Sequence, residues 1–279
     1  MRFRRRRRRM ARRLAAARGK GKGPFKPDWT VKTPDEITRM RESGRIVAEV
    51  HRMLADAIRP GVSTLELDDL SADFIAAAGG SSAFWGYQGF PRHTCISVNE
   101  ELVHGIPAAD RILREGDIVS IDVGVVHDGF IGDRAWTYPV GEIGEKARHL
   151  LQATEDSLYA AIQAARVGGT GNDIARAIVT HVHAERLQVV REYTSHGVGR
   201  QLHEPPQLLH FLRPNSEEAN CPFPPGLTVA LEPMVQIGTW RTRLLRDEWT
   251  VISQDRSLSA HFEHTVAITD AGPQILTCL

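Results

Sequence analysis

The stretch GDIVSIDVGVVHDGFIGD, residues 116–133, restricts the possible folds more than any other part of the chain. Two apolar runs, the first rich in β-branched residues, flank His127–Asp128–Gly129, and an Asp–Gly between such runs is a strong hairpin signal. Asp122 and Asp133 fall within or at the end of these strands, where a lone buried charge is costly. They lie eleven residues apart across the turn and are expected to face each other on neighbouring strands. Alone they repel, so a positive group belongs between them, and carboxylate oxygens hold and neutralise hard cations. Two solvated carboxylates on the rim of a hairpin are the plain alternative.

A chain of 279 residues buries a substantial core as one large or two small domains. Its content, 42% hydrophobic and 25% charged, is that of an ordinary soluble protein. No run approaches the roughly 18 apolar residues of a membrane span. The formal net charge of +1 hides an asymmetry. Residues 1–26 hold ten Arg and three Lys with no acid, which leaves 22 basic against 34 acidic residues, a net of −12, for the rest. Arg4 to Arg9 repel one another and are expected to stay disordered without a polyanion. Nucleic acid or ribosomal RNA phosphate is the physical reading of such an arm. A solvated tail, or a true start at Met10, competes with it. The arm lacks the apolar core of a secretory signal. Cys95, Cys221 and Cys278 give no paired framework and no close ligand spacing, which suits a reducing, cytoplasmic compartment.

Thr33–Pro34–Asp35–Glu36 opens a helix with a capping box and a proline in the first turn, and apolar residues then recur at helical spacing up to Pro60–Gly61. A second box, Ser63 to Glu66, opens a helix stopped by Gly79–Gly80. Residues 81–105 read as loop plus short strand. Helices follow from Glu145 to Arg166 and from Thr170 to Leu187, then a strand starting at Val189. Arg59–Pro60–Gly61–Val62–Ser63 with Glu66–Leu67 matches Arg166–Val167–Gly168–Gly169–Thr170 with Asp173–Ile174 at one constant offset. Two α/β halves of similar plan place a shared site at their junction, with helices over one face of a mostly antiparallel, curved sheet. Pro205–Pro206 and residues 213–225 read as surface loop. Leu227–Val235, Trp249–Ile252 and His264–Thr269 read as strands.

Asp122, Asp133, Glu232 and Glu263 each occupy or edge an apolar strand, and His104, His196 and His203 are candidates to join them. Carboxylates with imidazole suit Mn, Fe, Co or Zn. Four acids are excessive for one ion and suit two ions about 3.5–4 Å apart with a water between them. Four unrelated strand-edge acids, each solvated or paired, are the plain alternative.

Five strings, GYQGFPRHTCISVNEELVHGIP (86–107), the hairpin itself (116–133), REYTSHGVGRQLHEPPQLLH (191–210), ALEPMV (230–235) and DRSLSAHFEHT (255–265), resemble methionine aminopeptidase of the bacterial, type I kind. With the amino-terminal helices the resemblance covers about residues 30–279. It implies an α+β pita-bread fold, with a disordered arm over 1–29 and a metallopeptidase domain over 30–279. It implies metal ligands at Asp122, Asp133, His196, Glu232 and Glu263 for two divalent ions, with Glu232 also moving protons. His104 is implied to bond the scissile amide nitrogen and His203 the carbonyl. The methionine pocket maps to Tyr87, Phe90, Cys95, Leu202 and Trp249, apolar and sulfur-bearing walls that suit a thioether. Leu202 and Phe90 depart from the larger or hydroxylated aromatics of the bacterial enzyme, and the loop over 213–225 looks slightly longer. The implied reaction is removal of initiator methionine from nascent chains whose second residue is small, by a monomer. A proline-specific aminopeptidase of the same fold is disfavoured because the short arm leaves no room for its additional amino-terminal domain. A non-catalytic ribosome- or nucleic-acid-binding member is disfavoured because all five ligands are present and the body is acidic.

Overall fold

The computed structural model describes residues 25–279; the arginine-rich stretch of the arm, and the disorder expected of it, lie outside them. The described residues form four helices and fifteen short strands, and every strand pairing is antiparallel.

The helices come in pairs. α1 (Pro34–Ala57) and α2 (Thr64–Ala77) precede β1 (Ser81–Ser82); α3 (Glu145–Ala164) and α4 (Gly171–Ala184) precede β6 (Gln188–Val189). From the ends of the first helices onward the two sets run in step at the offset of the sequence repeat: Ala57 answers to Ala164, Thr64 to Gly171, Ala77 to Ala184 and Ser81 to Gln188. The capping boxes Ser63/Glu66 and Thr170/Asp173 both form, as does Thr33/Glu36, so side chains satisfy backbone donors that each helix start leaves unpaired. Left-handed residues recur at the same offset: Gly61 with Gly168 before the second helix, Gly79 with Arg186 after it. Arg186 takes φ 58° where the other half has glycine.

In the first half, β2 (Cys95–Val98), β4 (Ile118–His127) and β5 (Phe130–Pro139) pair around β4, with β1 against its far end. Asp128 and Gly129 both take positive φ, 48° and 75°, in the two-residue link that closes the β4–β5 hairpin. Alternation then sorts the faces. Val119, Ile121, Val123 and Val125 pack with Ile46, Val47, Val50 and Leu54 of α1 and Leu67 and Ile75 of α2. Ser120, Asp122 and Gly124 take the opposite, helix-free face. The helix lies close on the hairpin at one point: a Cβ on Gly132 falls 2.7 Å from the Gly44 nitrogen.

The second half is built on β7 (Thr194–Gly197), β8 (Glu204–Leu209), β9 (Thr228–Leu231), β14 (His264–Thr269) and β15 (Gly272–Ile275), in the order β15-β14-β9-β7-β8. α3 and α4 cover it through Leu150, Leu158, Ile162, Ile174, Ile178 and Val182 against Val229, Leu231, Val266 and Ile268. Two three-stranded sheets complete the fold. One joins β6, β10 (Met234–Gln236) and β13 (Ser259–His261); the other joins β3 (Glu101–Val103), β11 (Thr242–Leu244) and β12 (Val251–Ser253).

Two expectations are corrected. The strand expected from Val189 ends there: Val190 donates to the Met234 carbonyl, the chain bends, and pairing resumes at Thr194. Pro205 and Pro206 belong to β8, which is tolerable because β8 is an edge strand whose missing N–H groups leave no ladder bond broken inside the sheet.

Candidate metal centre

β5 is the seam between the halves. Asp133 donates its N–H to Thr265 Oγ1 (3.0 Å) and accepts from that hydroxyl at its own carbonyl (2.9 Å). Glu263 N–H donates to the Ala135 carbonyl (2.8 Å), and Thr137 Oγ1 bonds both the N–H and the carbonyl of His261 (3.0 and 2.9 Å). Residues 261–265 thus run antiparallel to 133–137, partly through threonine hydroxyls standing in for backbone, and this brings Glu263 beside Asp133.

Asp122 and Asp133 share a face but are not direct partners. Asp122 pairs with Ala135 and Asp133 with Gly124, so the two carboxylates are diagonal neighbours. The direct opposition expected of them is replaced by a stagger that leaves room between the acids. Gly124 is required there, since a Cβ on it falls 2.7 Å from Phe84 Cε1.

The other acids and His196 come from the second half. His196 lies in β7 opposite Ala230, and Glu232 follows β9 directly. Ser195 Oγ accepts from the Glu232 N–H (2.9 Å) and itself bonds His210 Nε2 (2.9 Å), which fixes Glu232 relative to β7. Asp133, His196 and Glu263 each turn a ligand atom to within 4.8 Å of the other two. His196 Nε2 is 3.3 Å from Glu232 Oε1 and 4.0 Å from Asp133 Oδ2. His196 Nδ1 bonds the Gly197 carbonyl (2.9 Å), an acceptor, so the ring proton sits on Nδ1 and a lone pair faces the acids.

That arrangement sets acceptors against acceptors. Asp122 Oδ1 and Asp133 Oδ1 are buried with no partner. Burial and mutual repulsion push Asp122, Glu232 and Glu263 well above the usual carboxylate range, and burial lifts Asp133 to about 7. Burial holds His196 down at about 3, so it stays neutral. Acids crowded until they retain protons, beside a neutral imidazole presenting a lone pair, fit a divalent cation.

His203 and His104 border this cluster. The His203 ring centroid is 4.2 Å from that of His196, and His203 Nδ1 bonds the Tyr87 hydroxyl at 2.8 Å. His104 follows β3 in a left-handed conformation (φ 59°), a local strain characteristic of functional positions, and burial lowers it to about 4. Phe90, Cys95 and Leu202 are buried in one apolar cluster with Tyr87 and Trp249 packed against it, and Phe90 meets Trp249 edge-on at 5.1 Å. The structure gathers Asp133, His196 and Glu263, with Glu232 beside His196 and Asp122 diagonal to Asp133, and sets the His104 ring edge-on to Tyr193 at 5.9 Å. It adds His210 and His261, absent from the sequence-derived set. His261 lies two residues before Glu263, and strand alternation puts such a pair on one face; His210 carries no comparable signal. The loop over 213–225 bonds to the start of α4, with Asn172 linking Arg213 and Asn220.

The ion-free protein is expected to lose stability as pH rises above about 7.5. The raised acids bind more protons folded than unfolded, so their contribution falls with pH up to their folded values. His51, His104, His196, His210, His261 and His264 are all lowered by burial, and their effect is opposite in sign. It fades over about one pH unit above 6.5, the unfolded histidine value. Beyond about pH 7.5 the acids dominate. Melting scans between about pH 7.5 and 8.5, with chelator and with cation, check this: the slope is expected to be negative without cation and to vanish with it.

Residues 38–270 match the model of metallopeptidase family M24. A Bacillus subtilis protein, methionine aminopeptidase 1, is 50% identical over 246 residues, covering 88% of this chain and 98% of the relative. The crystal structure of methionine aminopeptidase from Thermotoga maritima superposes with a TM-score of 0.87 at 40% identity, covering 90% of this chain and 100% of that one. The prolidase from Pyrococcus furiosus shares the fold only: TM-score 0.69 at 21% identity, with 89% of this chain matched to 65% of that one. By sequence, fold and the divalent-metal chemistry its family implies, the chain belongs to metallopeptidase family M24 and, within it, to the methionine aminopeptidases.

Proposed function

We propose that the chain hydrolyses the peptide bond after an N-terminal methionine, removing initiator methionine from nascent proteins whose second residue is small. Asp122, Asp133, His196, Glu232 and Glu263 would hold two divalent ions, of Co, Mn, Fe or Zn. The observation that carries this reading is the buried contact of His196 Nε2, a lone pair, with Glu232 Oε1 at 3.3 Å, which only a proton or a cation relieves. Bound there, such ions would supply an activated water and polarise a carbonyl. Glu232 would carry a proton from the attacking water to the leaving amine. His203, its Nδ1 held by Tyr87, donates from Nε2 to the oxyanion, and His104 bonds the scissile amide nitrogen. Tyr87, Phe90, Cys95, Leu202 and Trp249 enclose the methionine side chain.

Residues 30–279 form the catalytic domain, acting as a cytoplasmic monomer, and the arm brings it to ribosomal RNA. Metal-reconstituted hydrolysis of Met-Ala-Ser beside Leu-Ala-Ser and an Xaa-Pro peptide tests the reaction. Preference for the Met peptide is expected, and preference for Xaa-Pro would refute it. Co-sedimentation with ribosomes is expected to weaken steeply with salt and to be lost on deleting residues 1–26. Equal co-sedimentation with and without them rules that role out.

A further inference from the structure

We infer that His261 is a positioning residue of the metal centre: its Nε2–H, 3.6 Å from Glu232 Oε2, is placed to donate to that oxygen and leave Oε1 for the cation. This rests on the reading of the cluster as a divalent-metal site.

His261 ends β13, and its backbone is fixed on both sides by Thr137 Oγ1. Only 2% of the residue is exposed, and Nε2 is buried without a hydrogen-bond partner. It is paired at longer range with carboxylate oxygens, Glu232 Oε2 at 3.6 Å and Glu263 Oε2 at 3.9 Å. The two oxygens of Glu232 are thereby divided: Oε1 faces His196 Nε2 at 3.3 Å, Oε2 faces His261 Nε2. The two imidazoles have opposite needs. His196 gives its proton to the Gly197 carbonyl and turns a lone pair inward. His261 faces an acceptor, so its favourable tautomer carries the proton on Nε2 and donates.

A carboxylate with two unpinned oxygens rotates between presenting one and presenting both. A donor fixed by a strand selects one orientation before the cation arrives, and partners of ligating carboxylates are worth about 10–100-fold in metal affinity. Because Glu232 is also the proposed proton carrier, its orientation is expected to act on turnover and not on the apolar pocket that binds methionine.

Leucine and glutamine at position 261 separate the donor from the bulk. Both fill space of similar size; only glutamine keeps an N–H of comparable reach. His261→Leu is expected to weaken cation binding, followed by calorimetry and by the visible spectrum of the Co(II) form, about 10–100-fold. Its kcat is expected to fall with KM unchanged. His261→Gln is expected to stay within about threefold in affinity. Wild-type affinity in the leucine variant overturns the proposal. So does a glutamine variant as defective as leucine, which would make the imidazole itself a ligand. If the leucine variant fails to fold, nitrogen NMR of the wild-type protein loaded with 113Cd decides. His196 is expected to couple to cadmium, and His261 to show a protonated Nε2 without coupling. Coupling at both makes His261 a ligand and overturns the positioning role. Coupling at neither, with no cation uptake, overturns the metal centre instead.

Discussion

Asp133→Ala is expected to abolish cation uptake and lower turnover of Met-Ala-Ser by on the order of a thousandfold or more, since the chemistry a metal supplies is worth several kcal/mol. The same substitution is expected to raise the melting temperature of the ion-free protein at pH 8. Asp133 holds its strand position through backbone bonds to Thr265 and to the hairpin, none of which uses the carboxylate. Its Oδ1 has no partner to lose. Removing it relieves Asp122, Glu232 and Glu263, each of which Asp133 pushes upward. A structural acid behaves oppositely: its loss lowers the melting point and leaves cation stabilisation intact. In the wild type, cation at a hundred times its Kd adds about 2.7 kcal/mol. That increment is expected to vanish in the variant. Calorimetric scans with chelator and with added Mn or Co read both signs at once. A lower ion-free melting point with wild-type cation stabilisation would remove Asp133 from the centre.

The parts of this site legible in the sequence were those with a local period or a fixed punctuation. The Asp128–Gly129 turn declares the hairpin, and the capping residues at 33 and 63 declare two helix starts, because both depend on residues a few positions apart. The constant offset between the halves was legible for the same reason, and it extends further than the identities that revealed it, to β1 and β6. Asp122 stood out because an acid within a β-branched run has few bland explanations. The stagger of Asp122 and Asp133 was not legible: it depends on the turn's register, which a two-residue link sets and a longer one would shift by a position. Nor was the seam between the halves. Thr137 and Thr265 replace backbone pairing with hydroxyls, and a threonine in a strand otherwise signals only β propensity. His261 became meaningful once that seam placed its strand beside β5. Pro205–Pro206 misled because proline marks loops in general; only its place on an edge strand permits the exception.

Lys32→Met is expected to destabilise the protein by about 3–5 kcal/mol, the cost of leaving a buried charge without its partner. Lys32 Nζ lies 2.5 Å from Glu204 Oε2, with side-chain exposures of 2% and 7%. Its stem passes Gly199 so closely that a Cβ there falls 2.4 Å from Lys32 Cε. The other oxygen of Glu204 accepts from the N–H groups of Arg200 (2.8 Å) and Gln201 (3.0 Å). Glu204 therefore organises the turn that presents Leu202 and His203, and Lys32 neutralises it from a segment just before α1. Deprived of the lysine, the buried carboxylate loses its countercharge and draws in water, which loosens the turn. At about 2–4 °C per kcal/mol for a chain of this size, the melting point is expected to drop by roughly ten degrees. Turnover is expected to fall with it, through His203, while cation affinity stays near wild type because Asp133, His196 and Glu263 are held by other strands. Adding Glu204→Gln removes the orphaned charge and is expected to recover much of the stability, since a buried pair replaced as a unit is often close to neutral. The double-mutant cycle in urea then measures the coupling. A double variant no better than Lys32→Met alone would show that the lysine acts through its packing against Gly199 and not through its charge.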